Sequence, residues 1–357
     1  MQYKPLSSHV GEVPRLRQAR RTPWLTAAGL GMLTLLALAG CAPGTTSPFL
    51  PASTNSKAIY DLFLVVYAIG ALVFVVVVSA LIYAAVRFSR SKDAALPPQI
   101  EGNTRLEIAW TLAPAVVLIV VFIVSLQTLF AIARAQPAGA GQAANSLHVR
   151  VIGHRWWWEF VYPDQQITTA NDLHVPVGVD LKLDVESVDV VHSFWVPQLA
   201  GHQDGTPGQV NPLYLRIPQT GVYQGECAEY CGTEHALMRL QVIAETPDQF
   251  QEWVQGQQAG PAALSGAAAE GEKVFMAFPC IGCHTVNGTA AKGLVGPNLT
   301  HFASRQTFAG SVLTNTPDNL AKWLADPQSV KPGNVMPNLH VPPEQISLLV
   351  AYLEALK

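Results

Sequence analysis

At 357 residues the chain exceeds what one core usually organises, and a composition that is 49% hydrophobic with only 13% charged residues excludes a single small soluble domain. It points instead to membrane segments joined to exported domains, while the net charge of -3 singles out no partner class and no nucleic-acid partner is expected. The five cysteines are an odd number, each with its own chemical assignment below, so no disulfide framework is implied.

Residues 1–23 carry Lys4, Arg15, Arg17, Arg20 and Arg21, and 24–39 is a charge-free apolar run, short for a membrane span. Small residues then lead to a cysteine (Leu38, Ala39, Gly40, Cys41). This reads as a signal peptide over 1–40 ending in a bacterial lipobox, with Cys41 the lipidated first residue of a mature lipoprotein and 41–61 an external segment. An uncleaved signal anchor is the alternative, and both readings put residue 42 outside the cytoplasm. Two uncharged segments, 62–86 and 108–133, are each long enough to cross a ~30 Å hydrocarbon layer and predict a transmembrane helix hairpin over 62–134. Their connection holds Arg87, Arg90, Lys92 and Arg105, against Lys57 and Arg134 on the far side, so the loop is expected in the cytoplasm. Everything after Arg134 then lies on the periplasmic or outer side of a bacterial inner membrane. Thr104 and Glu107 form Thr-x-x-Glu ahead of an apolar run, which predicts a capping box.

After a flexible exit at 135–144 the periodicity changes. Val175, Val177, Val179, Leu181, Leu183 and Val185 occupy every second position, which predicts one half-buried strand. Shorter alternations at Leu147, Val149 and Val151, at Leu213, Leu215 and Ile217, and at Leu240 and Val242 extend this to an all-β sandwich or barrel over 145–247. Trp156, Trp157 and Trp158 are consecutive, and simple alternation turns Trp157 into the core with the other two on the opposite face. The domain carries five basic and twelve acidic side chains. Such a balance can steer a basic partner in from solution, or serve solubility alone.

Residues 227–238 read CAEYCGTEHALM and hold two thiols (Cys227, Cys231), an imidazole (His235) and a thioether (Met238), ligand types that favour copper over hard cations. His192 upstream supplies a second imidazole. Together with one backbone carbonyl, the set suffices for a thiolate-bridged pair of copper ions; half of a structural zinc site is the alternative, although zinc leaves Met238 and His192 without a role. The loop resembles the copper A loop of cytochrome c oxidase subunit II. That resemblance implies a cupredoxin-like fold, with His192, Cys227, Cys231, His235 and Met238 as side-chain ligands and Glu229 ligating through its backbone oxygen. It further implies that the Glu229 side chain reaches a magnesium ion shared with the catalytic subunit, that Asp189 lies near the copper, that Glu107 lies near a proton-path entry, and that Trp156 is the electron entry point. The segment 199–211 departs from the family, with His202 and Gln209 where basic side chains are common, which bears on subunit contacts.

Residues 253–269 are mostly Gln, Gly, Ala and Pro and read as a linker. The domain that follows, 270–357, opens on Cys280-Ile-Gly-Cys283-His284, the attachment pattern for haem c, with His284 as one axial ligand. A redox dithiol or half a zinc site would share the Cys-x-x-Cys. Of the methionines left for the far side of the iron, Met276 is too close in sequence, so Met336 is the expected second axial ligand. The segments at Gly296–Leu299 and Trp323–Gln328 resemble class I cytochromes c, an all-α fold. Over nearly its whole mature length the chain therefore resembles subunit II of a caa3-type oxidase with a fused cytochrome c domain. The resemblance implies electron transport in a respiratory chain from cytochrome c or another donor, through haem c and copper A, to catalytic subunit I, alongside other oxidase subunits and membrane lipid. Reduction of dioxygen and proton translocation would take place in that partner. A copper A subunit of a nitric oxide reductase and a stand-alone membrane-anchored carrier are the alternatives; a quinol oxidase subunit would lack the copper ligands.

Overall fold

Residues 46–88, 101–135, 146–260 and 263–357 are described by the computed structural model, so the basic leader, its apolar run, Cys41, Arg90 and Lys92 lie outside the described residues. Helix α1 (Thr54–Arg87) starts at a capping box in which the Ser53 hydroxyl accepts from the Ser56 amide and the Ser56 side chain returns to the Ser53 amide. Its first turn is seated on the β-domain: Ala52 N–H donates to Gln198 O at 2.8 Å and Asn55 Nδ2 to Tyr214 O at 3.2 Å. Helix α2 (Thr104–Ala135) packs along α1, and both are apolar all round, with Phe74, Ile82, Leu118 and Phe122 exposed. Length and composition suit them to a membrane. The predicted capping box at Thr104 gives way to a different cap. Asn103 Oδ1 accepts from the amides of Arg105 and Leu106 at 3.1 and 3.3 Å, because its short side chain, one residue before the helix, is the one that reaches those unpaired donors. Glu107 lies exposed in the first turn, where a negative charge suits the helix dipole.

The β-domain stacks two five-stranded sheets, ordered β3-β2-β1-β5-β8 and β4-β10-β9-β6-β7. The first contains β1 (Ser146–His154), β2 (Trp157–Tyr162), β3 (Ile167–Ala170), β5 (Asp180–Ser187) and β8 (Asn211–Arg216). The second contains β4 (Asp172–Pro176), β6 (His192–Trp195), β7 (Gln203–Gly205), β9 (Gly221–Cys227) and β10 (Arg239–Glu245). Inward side chains from both sheets, among them Val151, Trp158, Phe160, Leu183, Phe194, Leu240 and Val242, form one core. The single strand predicted from Val175 to Val185 is in fact two strands in different sheets. Pro176 lacks a donor for the ladder and Gly178 takes a left-handed φ of +74°, so the chain turns and changes sheet, yet both strands keep apolar side chains towards the shared core. The tryptophan alternation also differs from expectation. Arg155 and Trp156 form a turn and β2 begins at Trp157, so Trp158, Phe160 and Tyr162 face the core while Trp157 stacks on His154, centroids 4.1 Å apart.

Helix α3 (Pro247–Gln258) closes one side of this core with Phe250 and Val254, and its Trp253 stacks on His174 at 4.5 Å. The stretch read as linker is thus helical and packed as far as Gln258, since Trp253 and Val254 give its polar sequence an apolar face. The last domain runs α4 (Gly266–Ala277), α5 (Cys280–Cys283), a short β11–β12 ribbon (Thr307–Phe308, Leu313–Thr314), α6 (Pro317–Ala325), α7 (Pro327–Val330) and α8 (Pro343–Leu353). Helices α4 and α8 cross at Gly271, where a Cβ would clash with Leu348 O, and Phe275 packs on Tyr352 beside the crossing. The apolar helix hairpin, the two-sheet β-domain and the helical last domain together make a multidomain fold.

Candidate metal centre and haem cavity

Three strand ends of the second sheet build the metal-ligating cluster. Cys227 closes β9, Met238 leads into β10, and His192 opens β6, whose Phe194 pairs in register with Cys227. The Cys227 amide donates to Met238 O at 3.0 Å and ties the loop's ends together. Within it, Cys227 Sγ lies 3.8 Å from Cys231 Sγ, 3.9 Å from His192 Nδ1 and 3.2 Å from Glu229 O. Cys231 Sγ lies 3.7 Å from His235 Nδ1 and 3.9 Å from Met238 Sδ. The two sulfurs sit in the middle with one imidazole beside each. Among the described residues, His192, Cys227 and Cys231 bring ligand atoms within 4.8 Å of one another, and all three are buried, as is Met238. The Glu229 side chain points out into solvent.

The charge arrangement suits a cation. Asp189 Oδ1 accepts from His192 Nε2 at 2.8 Å, and because a carboxylate only accepts, Nε2 carries a proton and the neutral imidazole turns its Nδ1 lone pair to Cys227. Burial opposes the charge on Asp189, but hydrogen bonds from His192, Val190 N–H and Arg155 N–H outweigh it and hold the carboxyl at about 2. Burial likewise works against a charged His192, and its bonds to Asp189 and Cys227 outweigh this and raise it. The thiols share a hydrogen bond that splits their titration: it lowers Cys227, against burial and with help from His192 and the backbone amide of Ser193, and raises Cys231. Cys227 is therefore the first thiol to ionise.

Trp156 packs beside this cluster. Its Nε1–H donates to Cys231 O at 3.0 Å, and a Cβ on Gly232 (φ +120°) would meet its ring at 2.9 Å, so only glycine admits the indole there. Trp156 also lines a large cavity, about 1310 Å³ including its open mouth, together with Cys280, Cys283, His284 and Met336. The structure thus gathers every residue expected to hold the haem around one space. His284 Nδ1–H donates to Pro297 O at 2.8 Å, which leaves Nε2 free as a ligand, and burial lowers its pKa. Gly296 makes room for that ring, since a Cβ would lie 2.5 Å from His284 Cε1.

Sequence reasoning missed the residues that join the two domains. Lys331 reaches Leu237 O, Trp156 O and Glu234 of the β-domain, at 3.1, 3.3 and 3.8 Å. Asp172 accepts from the Gln306 amide at 3.2 Å and the Thr307 hydroxyl at 3.3 Å, and Arg239 N–H donates to Gly310 O at 3.0 Å. Burial lowers Lys331 to about 8 and Arg305 to about 10. No spacing rule marks a lone lysine before Pro-Gly as an interface residue; only the folded chain brings it there.

The residues fit the groups expected of them. Two thiols, two imidazoles, a thioether and a carbonyl suit a thiolate-bridged copper pair, whereas a closed tetrahedral zinc site would leave donors over. In the cavity, both thiols of the Cys-x-x-Cys are free, and the buried Arg305 keeps an Nε without a protein partner, a donor suited to an anionic group of a bound ligand.

Comparison with known proteins agrees with this architecture. Residues 49–128 match the family described as cytochrome C oxidase subunit II, transmembrane domain, residues 165–245 its periplasmic domain, and residues 268–357 cytochrome c. Cytochrome c oxidase subunit 2 of Alkalihalophilus pseudofirmus is 37% identical over 341 residues, covering 94% of this chain and 98% of that protein. Cytochrome c oxidase subunit 2 of Bacillus sp. (strain PS3) is 37% identical over 350 residues, covering 94% and 98%. Among solved structures, the periplasmic domain of subunit II of cytochrome oxidase of Bradyrhizobium japonicum is 26% identical, covering 31% of this chain and 93% of that one, at a TM-score of 0.31. Matched in both subunit II segments and similar to such relatives over nearly their full length, the chain belongs to the cytochrome c oxidase subunit II family and carries a cytochrome c domain beyond the segment matched as periplasmic.

Proposed function

We propose that the chain is the electron-accepting subunit of a bacterial haem-copper terminal oxidase, taking electrons from cytochrome c or another respiratory donor and delivering them to catalytic subunit I, where dioxygen is reduced to water with proton pumping. When bound, haem c and copper A supply reversible one-electron chemistry. The chain's own residues hold and connect these groups. Cys280 and Cys283 would attach the haem, His284 and Met336 would ligate its iron, and His192, Cys227, Cys231, His235, Met238 and the Glu229 carbonyl would hold copper. Trp156 links the two. The observation that carries the reading is its double contact: it lines the haem cavity and donates a hydrogen bond to the carbonyl of Cys231.

On this reading the exposed Glu229 side chain meets a magnesium ion shared with subunit I, and Glu107 lies at a proton-path entry as well as stabilising its helix. The hairpin lies in the inner membrane with both soluble domains outside, and Cys41 is acylated after removal of 1–40. Purification of the full chain from its native membrane tests the proposal: a hydrophobic catalytic subunit should co-purify and consume oxygen when reduced donor is supplied. Consumption of nitric oxide without oxygen uptake, or a chain that purifies alone, would overturn it.

A further inference from the structure

We propose that Lys331 is a positioning residue for electron transfer between the two soluble domains. Its buried ammonium fixes the cytochrome domain against Trp156 and the copper loop. The inference rests on the relay proposed above, and goes beyond it by naming what holds the relay's two halves in register.

Lys331 is 3% exposed and directly follows the short helix α7. Its Nζ donates to Leu237 O at 3.1 Å and to Trp156 O at 3.3 Å, and lies 3.8 Å from the carboxylate of Glu234, itself 2% exposed. Leu237 precedes the ligand Met238 and Glu234 precedes the ligand His235, so one cation touches both the tryptophan's backbone and the copper loop. On its own side, Lys331 O accepts from Asn334 Nδ2 at 2.6 Å, and Asn334 Oδ1 accepts from the amide of Met336 at 2.8 Å. A single short chain of contacts therefore runs from Met336 through Lys331 to Trp156. The surrounding interface is tight: a Cβ on Gly310 would lie 2.7 Å from Leu237 O, and one on Gly333 would lie 3.0 Å from Thr233 Cγ2.

Removing an ammonium from water is costly, so a buried lysine-glutamate pair contributes less to net stability than to fixing one arrangement over others. Here the arrangement fixed is the approach of the haem cavity to Trp156. Electron tunnelling falls off exponentially with the gap, so register at this contact governs rate.

The test uses the full chain, loaded with haem and copper, in detergent. Flash reduction of the haem by a photoreductant starts the measurement, and transfer to copper is followed optically. Lys331→Met leaves Glu234 buried without a counter-ion and should shift the docked population enough to slow transfer on the order of tenfold or more. The rate should also become sensitive to solvent viscosity, while the haem spectrum and copper EPR signal stay as in the parent. Hydrogen exchange gives a readout independent of either group: the Arg239 amide, bonded to Gly310 O across the interface, should exchange faster in the variant. Lys331→Gln, neutral but still a donor, is read in the same way if the methionine variant fails to load. Parent-like transfer, viscosity independence and Arg239 protection in a loaded variant would overturn the proposal. Absence of haem-to-copper transfer in the parent chain would instead overturn the relay.

Discussion

The indole Nε1–H of Trp156 donates to the carbonyl oxygen of Cys231 at 3.0 Å, and the same residue lines the cavity that gathers Cys280, Cys283, His284 and Met336. One side chain therefore bridges the candidate copper centre and the candidate haem site. Replacing it with phenylalanine keeps an aromatic ring but removes the hydrogen bond. Trp156→Phe should slow haem-to-copper transfer about tenfold, the change that about 1.4 kcal/mol of barrier produces. Flash photolysis with unchanged absorption and EPR spectra is the check.

Asp189 holds the proton of His192 on Nε2 and so presents Nδ1 to the metal side. Loss of such a partner typically costs about 10–100-fold in metal affinity, which is the effect expected of Asp189→Asn in a competitive copper titration. The pH sign follows from its pKa. A carboxyl held at about 2, below its ordinary 3.8, contributes fully above its ordinary value and loses that contribution only as pH falls through about 2. Asp189 therefore does not limit copper binding at neutral pH.

Gly296 leaves space for the His284 ring. Gly296→Ala would place a methyl 2.5 Å from Cε1 and must displace the His284 ring or the backbone. Overpacking of this kind costs about 1–3 kcal/mol, so the variant should unfold at lower denaturant concentration and show a disturbed low-spin haem spectrum.

Met336 is the second expected axial ligand, and a Met/His pair raises the haem potential. Met336→Ala should leave the haem covalently attached through Cys280 and Cys283 while lowering its midpoint potential, as measured by redox titration.

Much of this architecture was legible from the chain because its chemistry is local. Cys227, Cys231, His235 and Met238 fall within one loop, and Cys280, Cys283 and His284 within one turn, so short spacing carries the ligand sets. The apolar alternation from Val175 to Val185 correctly marked inward positions but hid the change of sheet, since two strands facing one core keep the same phase through a turn. Three adjacent tryptophans do not show where the strand begins, so simple alternation is out of phase with β2 by one residue. The interface was not legible at all. Lys331, Asp172, Arg239 and Gly310 lie far apart in sequence and meet only through tertiary packing, which leaves no periodic trace.

Metal and haem content of the purified full chain, together with its EPR spectrum, tests the central claim most directly. Two copper ions per covalently bound haem are expected, with a mixed-valence copper signal that is lost in Cys227→Ser while the haem bands remain. Zinc, or a single ordinary copper, beside an intact haem would contradict it.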